Sequence, residues 1–202
     1  MELLHTVKYK NHTINVFPDS EPFNPREEFE HVGLILYVSR RYVLGDKMVS
    51  EEEIENICKR DDIIYLPVYA YMHGNTILNT TGFSCPWDSG RSGVIYCTVD
   101  KARVTFPHLT KETLVEKVKE MLNSEVEEYS RYLSGQVYGY TVTNRFKEEV
   151  DSCWGFLYDN VEDVINEAKF FIDHSCSIDN VCSLGNVCCP GQSDDQYQIG
   201  VL

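Results

Sequence analysis

TKETLVEKVKEMLNSEVEEYSRYLSG, residues 110–135, decides the architecture. Leu114, Val118, Met121, Leu122, Val126, Tyr129 and Leu133 recur at three- and four-residue intervals, which draws one apolar stripe along a helix. Thr110 opens that helix and Gly135 stops it. A stripe of this length needs a large apolar surface to cover, and the segments on either side supply strands to build one.

Upstream, Val32–Val38 is a continuous apolar run of strand length, which predicts a central strand. Ile63–Tyr71 reads as another strand, with Pro67 marking an edge or a bulge. His73-Gly74-Asn75 forms a turn, Thr76–Thr81 the returning strand, and Val94–Val99 a further one. Leu3–Tyr9 and Thr13–Phe17 alternate as a hairpin around Lys10-Asn11-His12. Ser50 and Glu53 make a capping box for a short helix with Ile54, Ile57 and Cys58 on one face. Downstream, Val137–Thr143 and Val150–Phe156 pair around Asn144-Arg145. Asn160 caps a last helix whose face is Val161, Val164, Ile165, Ala168 and Ile172. The expected fold class is α+β, a mainly antiparallel sheet with one long and two shorter helices packed on it. From Ser175 the periodicity fails among cysteines, glycines and a proline. The expected organisation is therefore a single domain over 1–174 and a Cys-rich flexible tail over 175–202.

The chain has 202 residues and a formal net charge of −14. That balance argues against nonspecific DNA or RNA binding, which needs a surplus of lysine and arginine. The acid is concentrated: residues 134–202 hold eleven acidic against three basic side chains, whereas 62–109 are balanced. No apolar run reaches the roughly 20 residues of a membrane span. Met1–Lys8 lacks the pattern of a signal peptide, so the expectation is a cytoplasmic protein with free thiols.

Chemistry is densest in Gly82-Phe83-Ser84-Cys85-Pro86-Trp87-Asp88-Ser89-Gly90, with Arg91 next. A looser counterpart is Asp151-Ser152-Cys153-Trp154-Gly155-Phe156, and the pair suggests a shared surface or site. Trp87 and Trp154 are the two tryptophans of the chain. At a pocket mouth an indole stacks on a base or nucleotide, and Arg91 adds a contact to phosphate. The competing reading makes both indoles core residues and Asp88-Ser89-Gly90 a plain turn. Cys85 lacks an evident base. A strand between His73 and Cys85 would hold them roughly 20 Å apart, and Asp88 disfavours a thiolate. The spacing of His174, Cys176, Cys182, Cys188 and Cys189 does not suit zinc, and no glycine-rich phosphate loop is present. No catalytic residue, metal site or cofactor is assigned.

Asn24-Pro25-Arg26-Glu27-Glu28, Arg40-Arg41-Tyr42 with Leu44-Gly45-Asp46, Phe83–Gly90, Val137-Tyr138-Gly139 and Asp151–Phe156 occur in this order. The series resembles small accessory proteins of bacteriophages and other mobile elements, over roughly residues 14–172. Met72 stands where that family carries an acidic residue, and Arg91-Ser92 where it carries Gln-Val. The resemblance implies a protein that acts in the cytoplasm of a bacterial host, and such proteins often counter host defences. The leading expectation is thus a protein–protein inhibitor that binds a host defence protein, more a binder than an enzyme. Its binding residues would be Cys85, Trp87, Asp88, Ser89, Arg91, Asp151, Cys153 and Trp154. One alternative is a pocket that sequesters or hydrolyses a signalling nucleotide; another is an acidic mimic of nucleic acid.

Overall fold

The computed structural model describes residues 2–85 and 87–179. Among them the strands are β1 (His5–Tyr9), β2 (His12–Pro18), β3 (Leu34–Tyr37), β4 (Lys47–Met48), β5 (Ile63–His73), β6 (Asn75–Asn79), β7 (Ser89–Thr98), β8 (Tyr138–Thr143) and β9 (Glu149–Phe156). The helices are α1 (Pro25–Glu28), α2 (Glu51–Cys58), α3 (Val99–Thr105), α4 (Lys111–Ser134) and α5 (Val161–Asp179). The fold is α+β and rich in antiparallel pairing, as the alternating strands imply.

Two sheets form, not one. β1-β2-β8-β9 is a four-stranded antiparallel sheet, and β4-β3-β7-β5-β6 a five-stranded sheet in which only β3 and β4 run parallel among the described strands. The division follows from how the helical faces are covered. Leu114, Val118, Leu122, Val126 and Tyr129 of α4 are buried against Ile35, Ile64, Val68, Leu78 and Ile95 of the larger sheet. Val164, Ile165, Ala168 and Ile172 of α5 are buried against Ile14, Val16, Tyr140 and Val142 of the smaller one. Each buried Val, Leu or Ile among them contributes about 1.5–3 kcal/mol by leaving water. α2 covers the opposite face of the larger sheet, with Ile54 on Leu36 and Val94. Five helices occur among the described residues rather than three, because α1 and α3 are too short for their period to be read. α5 runs through Asp179, so the loss of pattern at Ser175 does not end it. The remainder of the predicted tail lies outside the described residues.

Several local readings hold. The Ser50–Glu53 capping box forms in both directions. Thr110 caps α4 through Thr113 N, and Gly135 closes it at φ 75°. Pro67 lies where β5 is paired with β7 alone, since β6 pairs only with Tyr69–His73, and the β7 register shifts between Val68 and Tyr69. A proline without an N–H is harmless on such an edge.

A buried ion network fixes the loop entering and leaving β3. Arg26 donates Nε to Asp46 at 2.8 Å, Nη2 to Gly33 O at 2.8 Å, and Nη1 to Glu125 at 3.0 Å. Glu125 also accepts from Val32 N at 2.7 Å, and Asp46 from Ile35 N at 2.7 Å. Asn24 caps α1 by accepting from Arg26 N. This assigns a structural role to Asn24–Glu28 and Asp46, two stretches of the motif series quoted above. It also anchors the end of the Ser39–Leu44 loop beside the candidate site.

Candidate functional site

Trp87 is 91% exposed, which rules out the core reading for that indole. It stands at the rim of an open groove of about 480 Å³, which Asp88, Ser89 and Arg91 also line. Those four sequence candidates therefore converge. The opposite wall is the loop after β3, with Ser39, Arg41 and Tyr42, and Met72 of β5 contributes an apolar patch. Ser39 Oγ accepts from Arg41 N at 3.3 Å and Tyr42 N at 3.0 Å, which shapes the loop, and the Arg41 guanidinium lies 5.2 Å from the Tyr42 ring. Arg41, Tyr42 and Met72 escaped sequence assignment. The available signal was Arg40-Arg41-Tyr42, a basic-aromatic triplet in a loop.

Ser89 and Gly90 belong to β7, so the predicted turn ends at Asp88 and the strand starts five residues earlier than the apolar run indicated. β7 enters beside the end of β5, with Tyr71 opposite Ser89 and Met72 N donating to Asp88 O at 2.9 Å. This return overturns the 20 Å separation of His73 and Cys85. His73 Nδ1 lies 3.4 Å from Asp88 Oδ2 and Cys85 Sγ 3.8 Å from the same oxygen, so ring and thiol are within about 7 Å. The carboxylate stands between them, which does not place the imidazole to take the thiol proton. Ser89 Oγ donates to Cys85 O and holds the turn. Asp88 thus lines the groove, whereas Cys85 does not and is tied to the turn through Asp88 and Ser89.

Asp151, Cys153 and Trp154 belong to the edge strand of the smaller sheet, and none of them lines the Trp87 groove. The cause is topological: β7 is built into one sheet and β9 into the other. Asp151 accepts from the Tyr140 hydroxyl at 2.8 Å. Burial first, and then this bond, push the Tyr140 phenol above its ordinary pKa. Cys153 lines a separate groove with Tyr140, Phe156, Phe170 and His174. Trp154 is 38% exposed and stacks on Phe17 at 6.1 Å between ring centroids. It covers Gly139, where a Cβ would meet the indole at 2.1 Å. Gly139 is therefore the residue that admits Trp154.

Among the described residues no group of three or more His, Cys, Asp or Glu side chains is arranged to hold a metal ion, and no helix is long and apolar enough to cross a membrane. Comparison of the chain with protein-family models, curated proteins and solved structures returns no match. The phage resemblance accordingly rests on the quoted motifs.

Proposed function

We propose that this chain is a non-catalytic accessory protein of phage type that acts in the bacterial cytoplasm and inhibits a host defence protein by binding it through the Trp87 groove. The observation that carries this reading is an indole left 91% in water beside Tyr42, Met72, Arg41 and Arg91. Tryptophan, tyrosine, methionine and arginine are the residue types enriched in protein interfaces, and a large exposed aromatic is an unsatisfied hydrophobic surface. The test is capture of the tagged chain from bacterial lysate beside Trp87→Ala. A stoichiometric protein retained by the native chain and lost from the variant supports the reading. Equal retention by both sinks it.

A second reading is favoured by Arg41 and Arg91. With Asp88 they give the groove an excess of positive charge on a chain of net charge −14, and about 480 Å³ holds a nucleotide. In that case the captured species is a small anionic molecule rather than a protein, and Trp87→Ala and Arg91→Ala each abolish its binding. An acidic nucleic-acid mimic would engage its target through the acidic faces instead, with a complex that weakens steeply in salt.

A further inference from the structure

The groove occupies a gap in the five-stranded sheet. Gly93–Tyr96 of β7 have β3 on one side and β5 on the other. Gly93 admits this close approach, since a Cβ there would lie 1.9 Å from Leu36 O. β3 ends at Tyr37, and the last bond across is Val38 N to Ser92 O at 3.0 Å. Beyond it the chain swings away through Ser39–Leu44. Among the described residues Ser89–Arg91 are consequently paired with Tyr69–Tyr71 of β5 and with no strand on the side where β3 would have continued. The wall of the groove on that side is an open strand edge.

Two features indicate what fills it. At Gly90 an added Cβ would meet nothing within 4 Å, so the sheet face over this strand is open to the groove. A glycine within a strand commonly marks where another backbone comes close. Arg41 and Arg91 are both exposed, and neither has an ion-pair partner among the described residues; Arg91 Nη2 approaches Cys58 Sγ of α2 at 3.7 Å, and Arg91 also lines a neighbouring groove with Glu51 and Glu55. Asp88 faces His73.

We infer that the groove takes an extended, acidic peptide segment of the partner protein, added as a strand beside Ser89–Arg91, with its carboxylates on Arg41 and Arg91 and an apolar side chain against Trp87 and Tyr42. Main-chain bonds at the edge supply affinity and the arginines supply selectivity, as in other strand additions. This rests on the protein-binding reading above and names the chemistry of its partner.

The probe is a displayed library of random twelve-residue peptides selected on the full-length chain, with binders then assayed against three variants. Enriched peptides rich in Asp and Glu are expected, together with slowed amide exchange at Ser89–Arg91 when they bind. Trp87→Ala and Arg91→Glu should each weaken binding at least about ten-fold. Gly90→Leu puts a side chain on the open sheet face inside the groove and should weaken binding at least about ten-fold while its unfolding midpoint stays native. Unchanged exchange at Ser89–Arg91 overturns strand addition, and binding to Gly90→Leu at native strength overturns occupancy of the groove. Native-strength binding by Arg91→Glu overturns the acidic partner while a Trp87→Ala loss preserves the protein-binding reading. A library that yields no Trp87-dependent binder overturns both.

Discussion

Replacing Arg26 by methionine removes the cation from a site where its side chain is 4% exposed and leaves Asp46 and Glu125, 15% and 10% exposed, without their shared counter-ion. Breaking a buried pair from one side costs about 3–5 kcal/mol, because the orphaned charge stays buried. Here the loss belongs at the lower end, about 3 kcal/mol, since Val32 N and Gly33 N still donate to Glu125 and Ile35 N to Asp46. The exposed Lys117–Glu120 pair, by comparison, is worth less than about 1 kcal/mol. With a urea slope of about 2 kcal/mol per molar, Arg26→Met should lower the denaturation midpoint by about 1.5 M. Circular dichroism during a urea titration measures it. If orphaned charge is the cause, Arg26→Met/Asp46→Asn should be more stable than Arg26→Met alone. A double variant no more stable than the single, or a midpoint shift below about 0.5 M, would refute the reasoning.

Other outcomes follow from the same geometry. Leu122→Ala, at a fully buried position under the larger sheet, should cost about 2–5 kcal/mol in a urea titration. Gly139→Ala forces Trp154 off the sheet; its emission should shift to the red, stability should fall by about 1–3 kcal/mol, and partner binding should stay native because Trp154 lies outside the groove. Alkaline stability should reflect Tyr129, whose phenol is pushed up to about 12, chiefly by burial. The unfolded chain ionises this group near 10 and the folded chain near 12, so the stabilisation is complete below pH 10 and lost as pH rises to 12. Tyr129→Phe should flatten that fall in urea midpoints measured across the range, and an unchanged slope would contradict it.

The elements were legible wherever one period ran long enough to be unambiguous. The α4 stripe, the Val32–Val38 run and the Ser50–Glu53 box each fix an element by local rules, and each is found where those rules put it. The partition into two sheets was not legible, because it depends on which helix covers which strands, and β8 and β9 alternate just as β5 and β6 do. Within the site, Trp87, Asp88, Ser89 and Arg91 stood out because they are adjacent in sequence. Arg41, Tyr42 and Met72 come from other strands and loops and are joined to them only by pairing. The proximity of His73 to Cys85 was hidden for the same reason: a strand's length separates them along the chain, and the return of β7 cancels it. Asp151, Cys153 and Trp154 share residue types with the first cluster, and likeness of composition does not bring two segments together.

The central claim is that the Trp87 groove is the surface that meets the partner. A photo-crosslinking residue placed at Tyr42, on the groove wall, tests it inside bacterial cells, with the same residue at Phe170, in the other groove, as the control. The account predicts one discrete protein adduct from position 42, absent when Trp87→Ala is added, and none from position 170. Adducts of the same mass from both positions, or an adduct at 42 indifferent to Trp87, would contradict it.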